Sequence, residues 1–227
     1  MSGQILALEQ VSDNTVGGKA YGLSRLLAMG LAVPRAFVVR RAVSGSYPDD
    51  LDQHYHSLGA DKVAVRSSAR GEDGAEASFA GLYETVLNVA DGSALRKAID
   101  HCVASAATDR AREYKNDQSD TSVAEMNVVV QQMVDALVAG VVFTADPVSA
   151  RRDLLVIDAV AGLGEALVSG EVTPDHYGVN RAGDIVRRHL VDDRALLSDQ
   201  QIAEIARQAR AAVAHEGQPL DLEWAID

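Results

Sequence analysis

The stretch VAVRSSARGEDGAEASFAGLYETVLNV, residues 63–89, decides the fold, because a long polar segment separates two apolar strand patterns. The first pattern predicts a strand that ends at Arg66, and the second predicts a strand over residues 83–89. Between them, residues 69–81 contain little that can pack in a core. Such a segment is suited to cover a ligand, with glycines that let backbone amides approach a phosphate. A disordered surface loop is the competing interpretation.

Composition and charge restrict the function classes. The chain has 227 residues with 33 acidic and 21 basic side chains, which gives a net charge of −12. This acidic balance argues against nucleic acid or an anionic membrane as the main partner. The single cysteine, Cys102, cannot form an internal disulfide and is typical of a core position. No secretion signal pattern and no apolar run near ~18 residues occur, so we expect a cytoplasmic protein without a membrane segment.

The order of predicted elements indicates an α+β (α/β) protein of two lobes. In the first half, the pattern predicts a helix at residues 17–30, a strand at 36–39 and a polar turn region at 40–61. The two strands named above, at 63–66 and 83–89, follow, and then a long helix at 93–114. The polar run NDQSDTS, residues 116–122, breaks this pattern. We therefore predict lobes over residues 1–118 and 119–227.

The second half of the chain has a different pattern of apolar residues. MNVVVQQMV, AGVVFTAD and LLVIDAV are nearly continuous apolar runs, which is typical of buried strands. A hairpin is predicted over residues 176–191, followed by a helix that Ser198 and Gln201 open with a capping box. The chain then ends on LDLEWAID, which alternates like a strand with one apolar face.

Asp221 and Glu223 are the first candidate ligands. They are two residues apart on the last strand, so both carboxylates project from the face opposite Leu222 and Trp224. Two neighbouring carboxylates repel each other, and a hard cation such as Mg²⁺ shared with substrate phosphates would neutralise them. A solvated strand face is the competing interpretation.

Lys19 and Arg66 are candidate phosphate-binding residues. Lys19 follows two glycines at the head of the first helix, where free N–H groups and an ammonium would form an anion site. Arg66 ends its strand beside Ser67 and Ser68, and guanidinium, hydroxyls and amides together suit a polyphosphate. Either residue could instead be an ordinary solvated surface cation.

Glu165 lies in a second glycine-containing segment, GLGEALVSGEVTPD, residues 162–175. Its carboxylate could complete a metal or ribose site, or could simply occupy the first turn of a helix. The sequence has no zinc-spaced His/Cys cluster, no G-x-S-x-G elbow and no Walker-type phosphate loop. These absences argue against zinc, triad-hydrolase and P-loop chemistry.

Taken in chain order, six segments resemble one family. They are VGGKAYGLSRLLAMGLAVPRAFVV, VAVRSSARGEDGAEASFAGLYETVLNV, VVVQQMV, GVVFTADPVS, GLGEALVSGEVTPD and LDLEWA. Together they resemble the ATP-grasp nucleotide-binding domain that phosphoenolpyruvate synthase shares with pyruvate phosphate dikinase and rifampin phosphotransferase. The resemblance runs from about Ile5 to Ile226 and implies a two-lobed ATP-grasp fold with ATP in the cleft between the lobes.

The resemblance also implies roles for individual residues. ATP and Mg²⁺ are the implied cofactors. Lys19 and Arg66 would hold the ATP phosphates and act in catalysis. Ser78, Gly81 and Thr85 would belong to a flap over the triphosphate, and Gln132, Met133 and Val134 to a hinge that receives adenine through backbone hydrogen bonds. Glu165 would be an acid on the ribose or metal side, and Asp221 and Glu223 would carry Mg²⁺.

The sequence also departs from this family. It stops at Asp227, before the Gln-x-Arg-Pro segment that completes the family's site, and residues 40–62 form a shorter connection than is usual. It contains no phosphohistidine domain and no phosphoenolpyruvate/pyruvate domain, and His176 does not match the phosphohistidine motif.

Three interpretations follow from this mixture of matches and departures. We favour an ATP-dependent phosphotransferase component that acts on a histidine of a separate partner protein or on a small-molecule acceptor. An ATP-grasp ligase that activates a carboxylate or carbonyl is the alternative within the enzyme class. A non-catalytic nucleotide-binding module, or a fragment of a longer synthase, is the third.

Overall fold

A computed structural model describes residues 4–69, 84–113, 126–149 and 151–227, with side chains of the long helix described to Ser105. Its contacts divide the chain into two compact units, Met1–Met133 and Val134–Asp227.

The first unit is built on a five-stranded antiparallel sheet with the strand order β1-β2-β5-β3-β4. The strands are β1 (Gln4–Ala7), β2 (Ala36–Ala42), β3 (Val63–Ser68), β4 (Thr85–Val89) and β5 (Met126–Gln132). The α-helices described in this unit are α1 (Gly18–Ala28), α2 (Leu51–Ser57) and α3 (Gly92–Glu113).

Both faces of this sheet are covered, which explains its continuous apolar runs. Successive side chains of a strand point to opposite faces. Val39 therefore packs in a cluster with Leu95 of α3, whereas Val38 packs in a separate cluster with Ala20 of α1. A strand that is buried on both sides shows valine after valine instead of alternation.

The second unit is a five-stranded antiparallel sheet with the order β10-β6-β7-β8-β9. Its strands are β6 (Val138–Phe143), β7 (Leu154–Ala161), β8 (Asp175–Asn180), β9 (Ile185–His189) and β10 (Asp221–Ile226). A short helix, α4 (Glu165–Val168), follows β7, and a long helix, α5 (Asp199–Glu216), precedes β10.

Helix α5 covers one face of the second sheet. The side chain of Ser198 accepts a hydrogen bond from the amide of Gln201, as the predicted capping box requires, and Gly217 ends the helix with φ 73°. Ile202 and Ala209 of α5 pack against Ile157 of the sheet. We refer to the opposite side of this sheet, where Asp158, His176 and Glu223 lie, as the polar face.

The division between the units differs from the sequence prediction by one strand. We predicted a boundary at residues 118/119, whereas the contacts divide the chain after Met133. The reason is that β5 pairs with both β2 and β3 of the first sheet. The predicted breaker, residues 116–122, lies outside the described residues, and so do Ser78 and Gly81 of the predicted flap.

None of the helices in the described part of the chain combines the length and the apolar character that crossing a membrane requires.

Candidate functional site

Hydrogen bonds fix the start of α1 to the end of β3. The amide of Gly18 donates to the carbonyl oxygen of Ala69 at 3.1 Å. The amide of Ala20 donates to Oγ of Ser68 at 3.1 Å, and that hydroxyl donates to the carbonyl oxygen of Val16 at 2.9 Å. Ser68 is fully buried, so these bonds are shielded from water and hold the first turn of α1 in place.

Gly17 allows this close approach. Its φ is 91°, and a Cβ at this position would lie 2.3 Å from the carbonyl oxygen of Ser68. Only glycine tolerates both conditions. The backbone of Gly17 therefore contacts β3 directly. Lys19 follows two residues later, in the first turn of α1.

One part of the sequence interpretation is wrong. We expected free N–H groups at the head of α1, but those of Gly18 and Ala20 donate to β3 and the residue that follows it. Those two amides are therefore engaged within the protein and do not belong to an anion site.

Arg66 lies on the face of the first sheet that α1 covers. It is two residues from Ser68 on β3, so both side chains point the same way. Arg66 is paired in register with Thr85 of β4, which places the Thr85 side chain on this face as well. Both side chains are half-buried, as is that of Lys19. The structure thus brings Lys19, Arg66 and Thr85 to one region of the first unit.

Cys102 is a core residue, as predicted. Its thiol is fully buried and donates to the carbonyl oxygens of Val65 at 3.7 Å and Glu84 at 3.8 Å. Burial, aided by the charge of Glu84, raises the pKa of this thiol to about 12, although the charge of Lys19 acts in the opposite direction. A thiol with such a pKa is protonated at neutral pH and is a poor nucleophile.

Two of the three backbone amides of the predicted adenine hinge are engaged within the protein. The amide of Gln132 donates to the carbonyl of Arg35 at 2.8 Å, and that of Met133 donates to the carbonyl of Lys62 at 3.1 Å. Within the described residues the amide of Val134 donates no hydrogen bond. Of these three residues, Val134 alone has an uncommitted N–H donor.

Asp221 and Glu223 lie on β10, at the edge of the second sheet. Leu222 and Trp224 pack with the α5 cluster, so the two carboxylates project from the polar face, as alternation predicts. Both side chains are exposed. Neighbouring protein atoms nevertheless displace water from part of the Asp221 carboxyl and raise its pKa.

These two acids fit Mg²⁺ only together with a phosphate ligand. Among the described residues, no group of three His, Cys, Asp or Glu side chains forms a complete metal cage. Mg²⁺ commonly binds one or two carboxylates and completes its shell with water and substrate phosphate oxygens. The donor set on β10 is therefore suited to a metal that arrives with a phosphorylated ligand.

The structure does not bring Glu165 together with Asp221. Gly162, just before α4, donates its amide to the carbonyl of Leu137 at 2.9 Å, which ties α4 to the beginning of β6. Asp221 pairs with Phe143 at the other end of β6. Val138 and Phe143 are the first and last residues of this six-residue strand, so they lie roughly 17 Å apart.

Sequence reasoning missed a hydrogen-bonded pair on the polar face. Asp158 of β7 and His176 of β8 are paired in register, and Nδ1 of His176 lies 2.7 Å from Oδ1 of Asp158. The one available signal was a single acid inside an otherwise apolar strand, LLVIDAV. That signal does not name the partner, which lies on the neighbouring strand.

A second acid near this pair has a structural role. Asp175 is buried and accepts hydrogen bonds from the hydroxyl of Tyr177 at 2.9 Å and from the amides of Val191 at 2.9 Å and Leu196 at 3.0 Å. Burial, with this hydrogen bond, raises the pKa of Tyr177 to about 12. Asp175 therefore fixes the connection between β9 and α5 and is committed to protein donors.

Comparison with known proteins now identifies the family. Residues 41–196, more than half of the chain, match the family described as pyruvate phosphate dikinase, AMP/ATP-binding domain. This chain is a member of that family. The resemblance drawn from the sequence is confirmed, and the chain is an ATP-binding domain of the phosphoenolpyruvate synthase/pyruvate phosphate dikinase family.

Similar full-length proteins are several times longer than this domain. A probable phosphoenolpyruvate synthase of Methanocaldococcus jannaschii is 33% identical over 97% of this chain and 25% of its own length. Rifampicin phosphotransferase of Bacillus subtilis is 40% identical over 72% of this chain and 22% of its own length. A prodigiosin synthesizing transferase of Serratia marcescens is 31% identical over 97% of this chain and 32% of its own length. The dikinase-family ATP-binding domain thus spans a third or less of each of these relatives.

Proposed function

We propose that this chain binds Mg·ATP and supplies the phosphoryl group for transfer to an acceptor. One observation carries the proposal. The chain belongs to an AMP/ATP-binding family. In its structure, the buried Ser68 and the close approach of Gly17 hold the first turn of α1, which contains Lys19, against β3, which contains Arg66. Two cations on one rigid support are suited to a polyphosphate.

The second unit supports an orientation for the nucleotide. The free amide of Val134 would receive the adenine base near the start of β6. Glu165, which lies at the same end of the sheet, would be the ribose acid rather than a metal ligand. Glu223 and then Asp221 lie progressively farther along β10 and would hold Mg²⁺ at the phosphates. Along the sheet, Val134 would thus contact the base, Glu165 the sugar, and Glu223 and Asp221 the phosphates, in the order in which these groups occur in the nucleotide.

The chemistry we propose is positioning and electrostatic stabilisation. Mg²⁺, when bound, would neutralise charge on the phosphate oxygens. Lys19 and Arg66 would orient the transferred phosphoryl group and stabilise the charge that accumulates as the bond to the leaving oxygen breaks and the bond to the acceptor forms. The nucleotide leaves with the electrons of the broken bond, and the acceptor loses its proton to solvent.

We propose that the acceptor is a histidine of a partner protein or a small molecule. The relatives are several times longer than this chain, and their additional length is where an acceptor-bearing region would belong. ³¹P NMR of ATP with candidate acceptors tests this step. A phosphorylated acceptor supports phosphotransfer, whereas free phosphate with an amide-type product would identify a ligase and contradict it.

Calorimetric titration tests the nucleotide site itself. We expect saturable 1:1 binding of Mg·ATP, which Glu223→Gln weakens by about tenfold or more, since a charge-assisted contact contributes roughly 1.5–3 kcal/mol. Glu204→Gln is the matched control, because Glu204 is an acid on α5 that pairs with Arg207. The absence of binding by the wild-type chain, or equal weakening by both variants, would refute the proposed site.

A further inference from the structure

The polar face of the second sheet carries a cavity that the proposed nucleotide contacts leave unused. The cavity has a volume of about 590 Å³, and its lining includes Asp158, Thr173, His176, Arg187 and His189. Every one of these residues belongs to the second unit.

The centre of the cavity lining is the Asp158–His176 pair. The two side chains are 19% and 30% exposed, so the pair is partly shielded from water while still reachable. Asp158 occupies Nδ1 of the imidazole at 2.7 Å, and this contact fixes the orientation of the ring. Within the described residues Nε2 forms no hydrogen bond, so it is the ring nitrogen left for a ligand.

Two further cationic or potentially cationic side chains lie beside this pair. His189 of β9 is paired in register with His176, and Arg187 is two residues earlier on β9, so both share the polar face. Among the described residues, neither forms an ion pair within 4 Å. Arg188 between them differs, because it binds Asp199 at 2.5 Å and lies over the ring of Tyr177.

Basic side chains outnumber acidic ones in the lining of this cavity, whereas acidic side chains outnumber basic ones in the whole chain. The chain as a whole has a net charge of −12, yet the cavity lining has Asp158 as its one acid, already engaged with His176. A guanidinium and two imidazoles around one cavity favour a ligand with negatively charged oxygens.

We propose that this cavity is a binding site for an oxyanion, namely a phosphate or carboxylate group of a small molecule. Arg187 and His189 donate hydrogen bonds to the oxygens of the anion. Nε2 of His176 also donates when the ring is an imidazolium, because the N–H at Nδ1 is already directed at Asp158. Asp158 is a positioning residue that orients the His176 ring. This site does not depend on the proposed ATP contacts, although Glu223 lies on the same face, two strands from Asp158 and roughly 10 Å away.

NMR of the histidine side chains tests the site directly. Inorganic phosphate, and separately succinate, would be titrated at constant ionic strength while the imidazole resonances are followed. We expect saturable shifts at His176 and His189 and none at His215, an exposed histidine at the end of α5. Unshifted His176 and His189 signals, or a parallel shift at His215, would overturn the proposal.

Paired arginine variants separate a specific site from general charge effects. Arg187→Gln should weaken phosphate binding roughly tenfold, whereas Arg207→Gln, which removes the same charge from α5, should leave it unchanged. Equal effects would overturn the proposal.

A third variant separates this site from the nucleotide site. Glu223→Gln should leave the phosphate shifts intact, and their loss in this variant would show that the anion sits elsewhere. If phosphate binds as expected while Mg·ATP does not, the proposed function fails and the oxyanion site stands.

Discussion

At the scale of single residues, two kinds of polar contact have to be distinguished. Asp175 is buried and fully committed to protein donors, so its role is structural. Asp221 and Glu223 are exposed on a strand edge, with the pKa of Asp221 raised rather than lowered. Burial disfavours the charged form of the Asp221 carboxyl, and a cation held beside it, as we propose for Mg²⁺, would favour that charged form.

Gly17 gives the sharpest prediction at this scale. Gly17→Ala should lower the free energy of unfolding by about 2–4 kcal/mol, because its Cβ would clash with Ser68 and its φ of 91° disfavours a side chain. Gly30→Ala is the control: its φ is 76°, but a Cβ there meets nothing within 4 Å, so it should cost only about 1 kcal/mol. Urea denaturation measures both. Equal losses would show that α1 does not rest on β3 as described.

At the scale of elements, the sequence predicted what local periodicity determines. The capping box and buried stripe of α5 and the alternation of β10 follow from neighbouring residues alone, and the structure has both. The helix α2 was missed, because residues 40–61 are mostly polar and its buried positions are just Leu51 and Tyr55.

Features that depend on distant partners could not be predicted. The N–H groups at the head of α1 are satisfied by residues some 50 positions away, and the hinge amides by Arg35 and Lys62. The Asp158–His176 pair depends on the register of two strands separated by α4. Spacing within a segment contains no information about such contacts, so the candidate residues were predictable but the donors left free for a ligand were not.

The connection between β9 and α5 provides a test at the element scale. Asp175→Ala should destabilise the protein by about 3 kcal/mol or more, since three donors lose a buried acceptor. Asp153→Ala, which removes an exposed acid paired with Arg151, should have little effect on stability, because water and salt screen an exposed ion pair. Denaturant midpoints provide the comparison, and a small loss for Asp175→Ala would mean that this connection is held by other contacts.

At the scale of the whole molecule, ligand binding and stability should oppose each other at Asp221. Its raised pKa means that the folded chain holds this proton more tightly than the unfolded chain does. The associated stability is present at low pH and is lost as pH rises through the folded-state pKa. At neutral pH, Asp221→Asn should therefore raise the melting temperature of the ligand-free protein slightly.

The same substitution should abolish most of the stabilisation by Mg·ATP. A ligand that binds only the folded state adds about 2.7 kcal/mol at a concentration 100 times its Kd, and the wild-type melting temperature should rise accordingly. Asp153→Asn is a control of opposite sign: Arg151 holds the pKa of Asp153 below its usual value, so this variant should lose a little stability yet keep the full Mg·ATP shift. Melting curves with and without Mg·ATP, repeated from pH 5 to pH 8, give the ligand-free stability and the Mg·ATP shift of both variants. If Asp221→Asn retained the ligand shift, Asp221 would not hold the metal, and the gain in ligand-free stability would reflect desolvation alone.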